Sequence, residues 1–204
     1  LALTDLGNLF GLVKFYTGAR GKGVKPVAGA DVWIANPEAP EDAYRLLLLA
    51  RNRTGYQQLC ELLTKAYLVE GRRDRAEIRR EWFSEIGSDG LIALSGAHLG
   101  DVGEALLNGN FDLAGERAKA WEAIFPGAFY LEVQRYGQPQ QEAIVQQTAD
   151  LAGETGIPLV ATHPIQFLNR DDFQAHEARV CIAEGYVLGD HRRPGRRPHR
   201  RPAR

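Results

Sequence analysis

The residues able to do chemistry are few and scattered. Asp5 closes the short apolar opening Leu1-Ala2-Leu3-Thr4 and precedes a Gly7-Asn8 turn. In open α/β sheets and barrels the carboxyl ends of strands face the place where ligands bind, so Asp5 stands where a carboxylate could act. The same residue at the same spot could instead cap the next helix and organise the turn, and both readings stand. A later strand leads to a second carboxylate in Gly29-Ala30-Asp31. His163 follows a strand and faces the presumed cleft end, His98 lies near a turn, and His176 falls in a helical stretch. None has a second His or Cys at ligand spacing, so each reads as a hydrogen-bonded or exposed imidazole rather than a metal ligand. Cys60 and Cys181 make neither a disulfide framework nor a zinc site, which fits a reducing cytoplasm. Asp171-Asp172 opens a helical segment, where capping and the helix dipole account for the pair. The sequence has no Gly-x-Ser-x-Gly, P-loop or dinucleotide glycine motif, which leaves acyl transfer and nucleotide cradling without support.

The elements that must position these residues alternate in type. Apolar β-branched runs predict strands at Leu1–Thr4, Pro26–Ala35, Arg45–Ala50, Leu91–Ser95, Phe129–Gln134 and Pro158–Thr162. Segments with apolar residues three and four apart predict helices over Leu9–Arg20, Tyr56–Val69, Val102–Leu107, Leu113–Ile124, Gln140–Glu154 and Phe173–Glu184. Asn108-Gly109, Phe125-Pro126-Gly127 and Thr155-Gly156-Ile157-Pro158 are helix stops, each with a residue suited to positive φ or unable to continue the helix. This alternation predicts an α/β layer or barrel. Glu70–Glu85 is dense in charge around one apolar pair, Trp82-Phe83, and reads as a solvated insertion or a surface helix.

The chain has 204 residues, 44% hydrophobic and 25% charged, enough for a sizeable core without disulfides or a structural metal. No apolar run is long enough to cross a bilayer, so no membrane role is expected. The net charge of -1 hides an asymmetry. Residues 191–204 hold seven of the 25 basic side chains and no acid, leaving 18 basic against 26 acidic side chains before them, a net of -8. The acidic body has no overall attraction for nucleic acid. The tail, HRRPGRRPHRRPAR, reads as disordered or as the product of a shifted, unselected frame, the rival being a basic arm that neutralises phosphates. The absence of methionine and the opening on an apparent buried strand suggest a piece of a longer protein.

ALTD-x-GN-LFG-x-VKFY followed by GVKP-x-x-GAD resembles the amino-terminal polymerase-and-histidinol-phosphatase (PHP) domain of the bacterial DNA polymerase III alpha subunit, in its proteobacterial form. The resemblance continues in order through LLLLARNRTGYQQLCELLTKAY, GLIALSGAHLGDVGEALLNGN, FYLEVQRYGQPQQE, LAGETGIPLVATHPIQFL and DDFQAHEARVCIAEG, so it covers nearly all of residues 1–190. It implies a distorted (β/α) barrel of the PHP type over residues 1–190, lacking its first strand and so incomplete at its N-terminus. Active relatives hold up to three metal ions there for phosphoester hydrolysis.

Carried onto this chain position by position, the resemblance implies a lost ligand set. Leu6, Arg45, Ala97, Tyr136, Pro164 and Gln166 fall where active members carry metal-binding side chains, and Asp31 replaces a longer Glu. Asp5, Asp31 and Glu132 remain as oxygen donors, with His163 the one imidazole to reconsider. Leu6 and Ala97 cannot donate electrons to a metal, and Arg45 brings a permanent positive charge to a site that must hold cations. An ion pair of Arg45 with Asp5 or Asp31 is expected to fill the cleft.

The resemblance therefore implies a non-catalytic structural support within a DNA-directed DNA polymerase, a nucleotidyltransferase whose Mg²⁺-binding palm lies outside this chain. Its implied partners are the rest of the alpha subunit and the proofreading exonuclease subunit, with DNA met only through the whole subunit. The rival readings are a residual metal-dependent phosphoesterase or 3'-5' exonuclease built on Asp5, Asp31, Glu132 and His163, and a nucleic-acid binder working through the basic tail.

Overall fold

The computed structural model describes residues 1–69, 75–137 and 141–188, and the basic tail lies outside them. They fall into two units, Leu1–His163 and Pro164 onward. The first unit is built on a curled α/β sheet. Its strands are β1 (Ala2–Leu6), β2 (Val27–Ile34), β3 (Tyr44–Ala50), β4 (Glu77–Ile78), β5 (Leu91–Leu94), β6 (Phe129–Gln134) and β7 (Leu159–Thr162). The order is β1-β2-β3-β5-β6-β7, and β4 pairs with β2 beyond the end of β1. Pairing is parallel except that β3 runs antiparallel to both β2 and β5, a departure from the all-parallel order of a regular (β/α) barrel.

Alternation along the strands divides the sheet into two faces. Ala30, Val32 and Ile34 of β2, Leu46 and Leu48 of β3, and Phe129 and Leu131 of β6 are buried on the helix side. They pack with Leu59 and Leu62 of α2 (Arg53–Leu68), Val102 and Leu106 of α4 (Asp101–Leu107), and Ala114, Ala118 and Trp121 of α5 (Phe111–Ile124) in one core. The residues between them, Asp31, Trp33, Arg45 and Glu132, belong to the opposite face. A fourth helix of this unit, α6 (Gln141–Thr155), buries Thr148 and Leu151, while α1 (Leu12–Gly21) buries only Leu12.

Two helices start earlier than periodicity predicts, and the cause is the same in both. Asn52 Oδ1 accepts from the Gly55 N–H at 2.9 Å and Asn110 Oδ1 from the Leu113 N–H at 3.1 Å, so polar caps begin α2 and α5 ahead of their apolar stripes. Helix α1 instead begins later, because Gly7 and Asn8 make a turn in which Asn8 Oδ1 accepts the Phe10 N–H at 3.0 Å.

The charged stretch before Glu85 corrects the expectation of a solvated insertion. Residues 70–74 lie outside the described ones, but β4 adds a strand to the sheet and α3 (Trp82–Ile86) drives Trp82 and Phe83 into the core, 5% and 2% exposed. The Phe83 ring stands edge-on to Trp121 at 6.0 Å and to Phe125 at 5.1 Å. One apolar pair suffices to anchor a polar stretch when it meets an aromatic cluster, because each large ring buries a large apolar area and gains edge-to-face contacts.

In the second unit a 3-10 turn, Arg170–Asp172, leads into α7 (Phe173–Glu184). Asp172 Oδ2 accepts the Asn169 N–H at 3.0 Å, a capping contact. The Phe167 ring packs on Phe173 at 5.9 Å and on His176 at 5.4 Å. Among the described residues no helix is long and apolar enough to cross a membrane.

Candidate functional site

The cleft face of the sheet gathers Asp31, Arg45 and Glu132. Trp33 of β2 is registered opposite Arg45 of β3, which brings Arg45 diagonally beside Asp31 on the same face. Arg45 donates from Nε to Asp31 Oδ1 at 2.8 Å and from Nη2 to Oδ2, a bidentate pair. Its guanidinium also lies over the Trp33 ring, 4.6 Å from the centroid. The pair is mostly out of water, with side-chain exposures of 15% for Arg45 and 26% for Asp31.

Glu132 is held quite differently. It is 3% exposed and accepts only from neutral donors: the Gly96 N–H at 3.1 Å, Gln134 Nε2 at 3.2 Å and the Thr162 hydroxyl. Its own N–H donates to Ser95 Oγ at 2.9 Å. Gly96 can make this contact because it has no side chain: at φ 77° a Cβ would lie 2.2 Å from the Arg45 carbonyl oxygen. Burial pushes the Glu132 carboxyl above the ordinary 4.5. The bonds from Thr162 and Gln134 oppose that shift, the Asp31 charge adds to it, and the Gly96 N–H also pulls downward.

The other positions do not join this group. Asp5 is registered with Ala30, and its Oδ2 accepts the Gly11 N–H at 3.1 Å at the start of α1, so its carboxylate is spent on the turn. Leu6 is registered with Asp31 and 44% exposed, and Ala97 is buried in a 3-10 turn, Ala97–Leu99. Tyr136 reaches His98 Nε2 at 3.4 Å, and its ring meets the edge of His163 at 6.3 Å. Burial holds His98 below its ordinary 6.5, toward the neutral imidazole. Pro164 and Gln166 belong to the second unit, where Gln166 Oε1 lies 3.4 Å from Arg179 Nη2. Neither Cys60 nor Cys181 is in a disulfide among the described residues.

The donor set does not fit the metal centre that the family resemblance implies. Among the described residues no three His, Cys, Asp or Glu side chains are grouped to share an ion. Asp31 is neutralised by Arg45, Glu132 is enclosed by hydrogen-bond donors, and Asp5 is turned to α1. The partners of Glu132 escape sequence reading in different degrees. Gln134 is legible, since it lies two residues on along the same strand face. Thr162, thirty residues away, carries no local signal of its role, and neither does the stacking of Arg45 on Trp33.

Comparison with known proteins places this geometry. A family model described as PHP domain matches residues 1–136. The DNA polymerase III subunit alpha of Neisseria meningitidis serogroup A is 54% identical over 196 residues, covering 95% of this chain and 17% of that protein. The same subunit of Pseudomonas fluorescens is 43% identical over 193 residues, and that of Escherichia coli K12 is 42% identical over 194 residues, covering 95% of this chain and 16% and 17% of those proteins. The chain thus spans 17% of the length of the first of these relatives. A solved protein from Bifidobacterium adolescentis overlaps 87% of this chain and 85% of its own at 8% identity and a TM-score of 0.44, a likeness that says nothing about activity. With its match running from the first strand through the cleft residues to Tyr136, the chain belongs to the PHP domain family.

Proposed function

We propose that this chain is the PHP portion of a bacterial DNA polymerase III alpha subunit and serves that polymerase as a non-catalytic scaffold. Identity of 54% across 95% of the chain supports the parent assignment. The observation that carries the scaffold reading is the Arg45–Asp31 pair, which puts a fixed guanidinium on a carboxylate that a hydrolytic metal would need. A phosphoesterase of this kind works by metal-activated water and charge clamping, and neither can be organised on one neutralised and one enclosed carboxylate. In the parent, DNA-directed nucleotidyl transfer belongs to a palm domain elsewhere, where Mg²⁺ supplies charge stabilisation at the reacting phosphate. The partners in this reading are the remainder of the alpha subunit and the proofreading exonuclease subunit, working in the cytoplasm, with DNA met through the assembled polymerase.

The test has two arms. Exchanging the matching 196 residues of the Neisseria meningitidis subunit for this chain should preserve DNA synthesis by the hybrid polymerase. The chain by itself, given Mn²⁺ or Zn²⁺ and either an aryl phosphodiester or 3'-labelled single-stranded DNA, should release no product above a metal-only control. Turnover that disappears in Asp31→Ala and Glu132→Gln would replace the scaffold reading with a residual phosphoesterase or 3'-5' exonuclease.

A further inference from the structure

We infer that the guanidinium of Arg45 is a built-in cation that closes this cleft to divalent metal ions: it engages both oxygens of Asp31, so that neither is left to an ion. This rests on the scaffold reading and names the residue that enforces it. Three observations converge on Arg45. Both carboxylate oxygens of Asp31 are engaged by its fork, a planar arrangement that a lysine ammonium could not reproduce. The guanidinium is backed by the Trp33 ring, which holds its plane while the ring quadrupole supports its charge. Its main chain lies against Gly96, the residue whose N–H binds Glu132, so the cation and the second carboxylate share one piece of framework.

Removal of the guanidinium has a definite chemical consequence. Asp31 lies close enough for its charge to act on Glu132, so without Arg45 an unpaired, half-buried Asp31 carboxylate would stand within reach of a second, buried one. Such a pair relaxes by taking up a proton or by taking up a divalent ion, and Mn²⁺ is a hard cation suited to oxygen donors.

The experiment is a Mn²⁺ titration of the full chain by electron paramagnetic resonance, with thermal unfolding measured alongside. Wild type should show no saturable site. Arg45→Gln, close in shape but uncharged, should gain a saturable Mn²⁺ site, and should lose about 4 °C of Tm that added Mn²⁺ partly returns. Arg45→Lys, keeping the charge without the fork, should exclude Mn²⁺ while still losing Tm. Adding Asp31→Asn to Arg45→Gln should abolish the gain in Mn²⁺ binding. If Arg45→Gln is folded by circular dichroism and binds Mn²⁺ no better than wild type, or if Asp31→Asn leaves the gain untouched, the built-in cation is rejected and the scaffold reading stands. Metal-dependent hydrolysis by the wild-type chain would instead overturn the scaffold reading itself.

Discussion

Asp101 and Glu132 are each 3% exposed, yet they solve the problem of a buried carboxylate in opposite ways. Asp101 opens α4 beneath the aromatic cluster. It receives Arg80 Nη2 at 2.6 Å, Trp121 Nε1 at 2.9 Å and the Val102 N–H at 2.8 Å, while the Arg80 guanidinium stacks 4.2 Å from the Trp121 ring centroid. A charge, an indole and an amide converge there, and the carboxylate binds α3's approach to α4 and α5. Among the described residues no cation is paired with Glu132, and the guanidinium of Arg45 is held on Asp31. The core sets its cation on a buried carboxylate, whereas the cleft leaves one carboxylate to neutral donors, and burial holds that one closer to its protonated form against the pull of their bonds. A cleft and a packed core thus place the same chemical group under different rules.

The sharpest way to break this contrast is to remove the centre of the Asp101 region. Trp121→Ala takes away the ring shared by Phe83, Phe125 and Phe129 together with the indole donor, and should cost about 4 kcal/mol in denaturant unfolding. A loss below about 1 kcal/mol would mean that the cluster repacks and is no anchor. Next comes Glu132→Leu, which strands the Gly96 N–H, the Gln134 amide and the Thr162 hydroxyl and should cost about 2 kcal/mol by the same measurement.

Glu132→Gln gives a smaller effect with a telling pH dependence. The folded carboxyl titrates above the ordinary 4.5, so its contribution to stability is fully present below that value and is lost as pH rises through the folded value. The amide cannot ionise, so the variant should gain on wild type from pH 4 to pH 8. A constant difference across that range would show that Glu132 titrates as it does in the unfolded chain. His98 should act with the opposite sign and the least effect. Its folded imidazole is held below 6.5, so stability is lost as pH falls beneath that value, and His98→Gln should flatten the decline between about pH 6.5 and 5.

Much of the framework was legible without coordinates. The apolar runs at 26–35, 45–50, 91–95 and 129–134 declare strands because each is a short apolar stretch set between turn signals, and Gly109, Gly127 and Gly156 mark helix exits because each takes positive φ. That Leu6 and Ala97 cannot ligate a metal was readable from residue type alone. The chain's own letters also determined that a lysine-free, arginine-bearing strand start at Tyr44-Arg45 would bring permanent charge to the sheet. Only the tertiary structure decided what that charge meets. Asp5 and Asp31 were equivalent candidates in sequence, and the difference is one of register: Asp5 aligns with Ala30 and turns to α1, while the antiparallel pairing of β2 with β3 sets Arg45 beside Asp31. Thr162 reaches Glu132 across a strand pairing that local periodicity does not encode, and Trp82 and Phe83 find the aromatic cluster despite their charged neighbours. Local sequence sets backbone preference and which residues alternate, but contacts between segments far apart depend on register and on the face each strand presents, and those are fixed only when the sheet assembles.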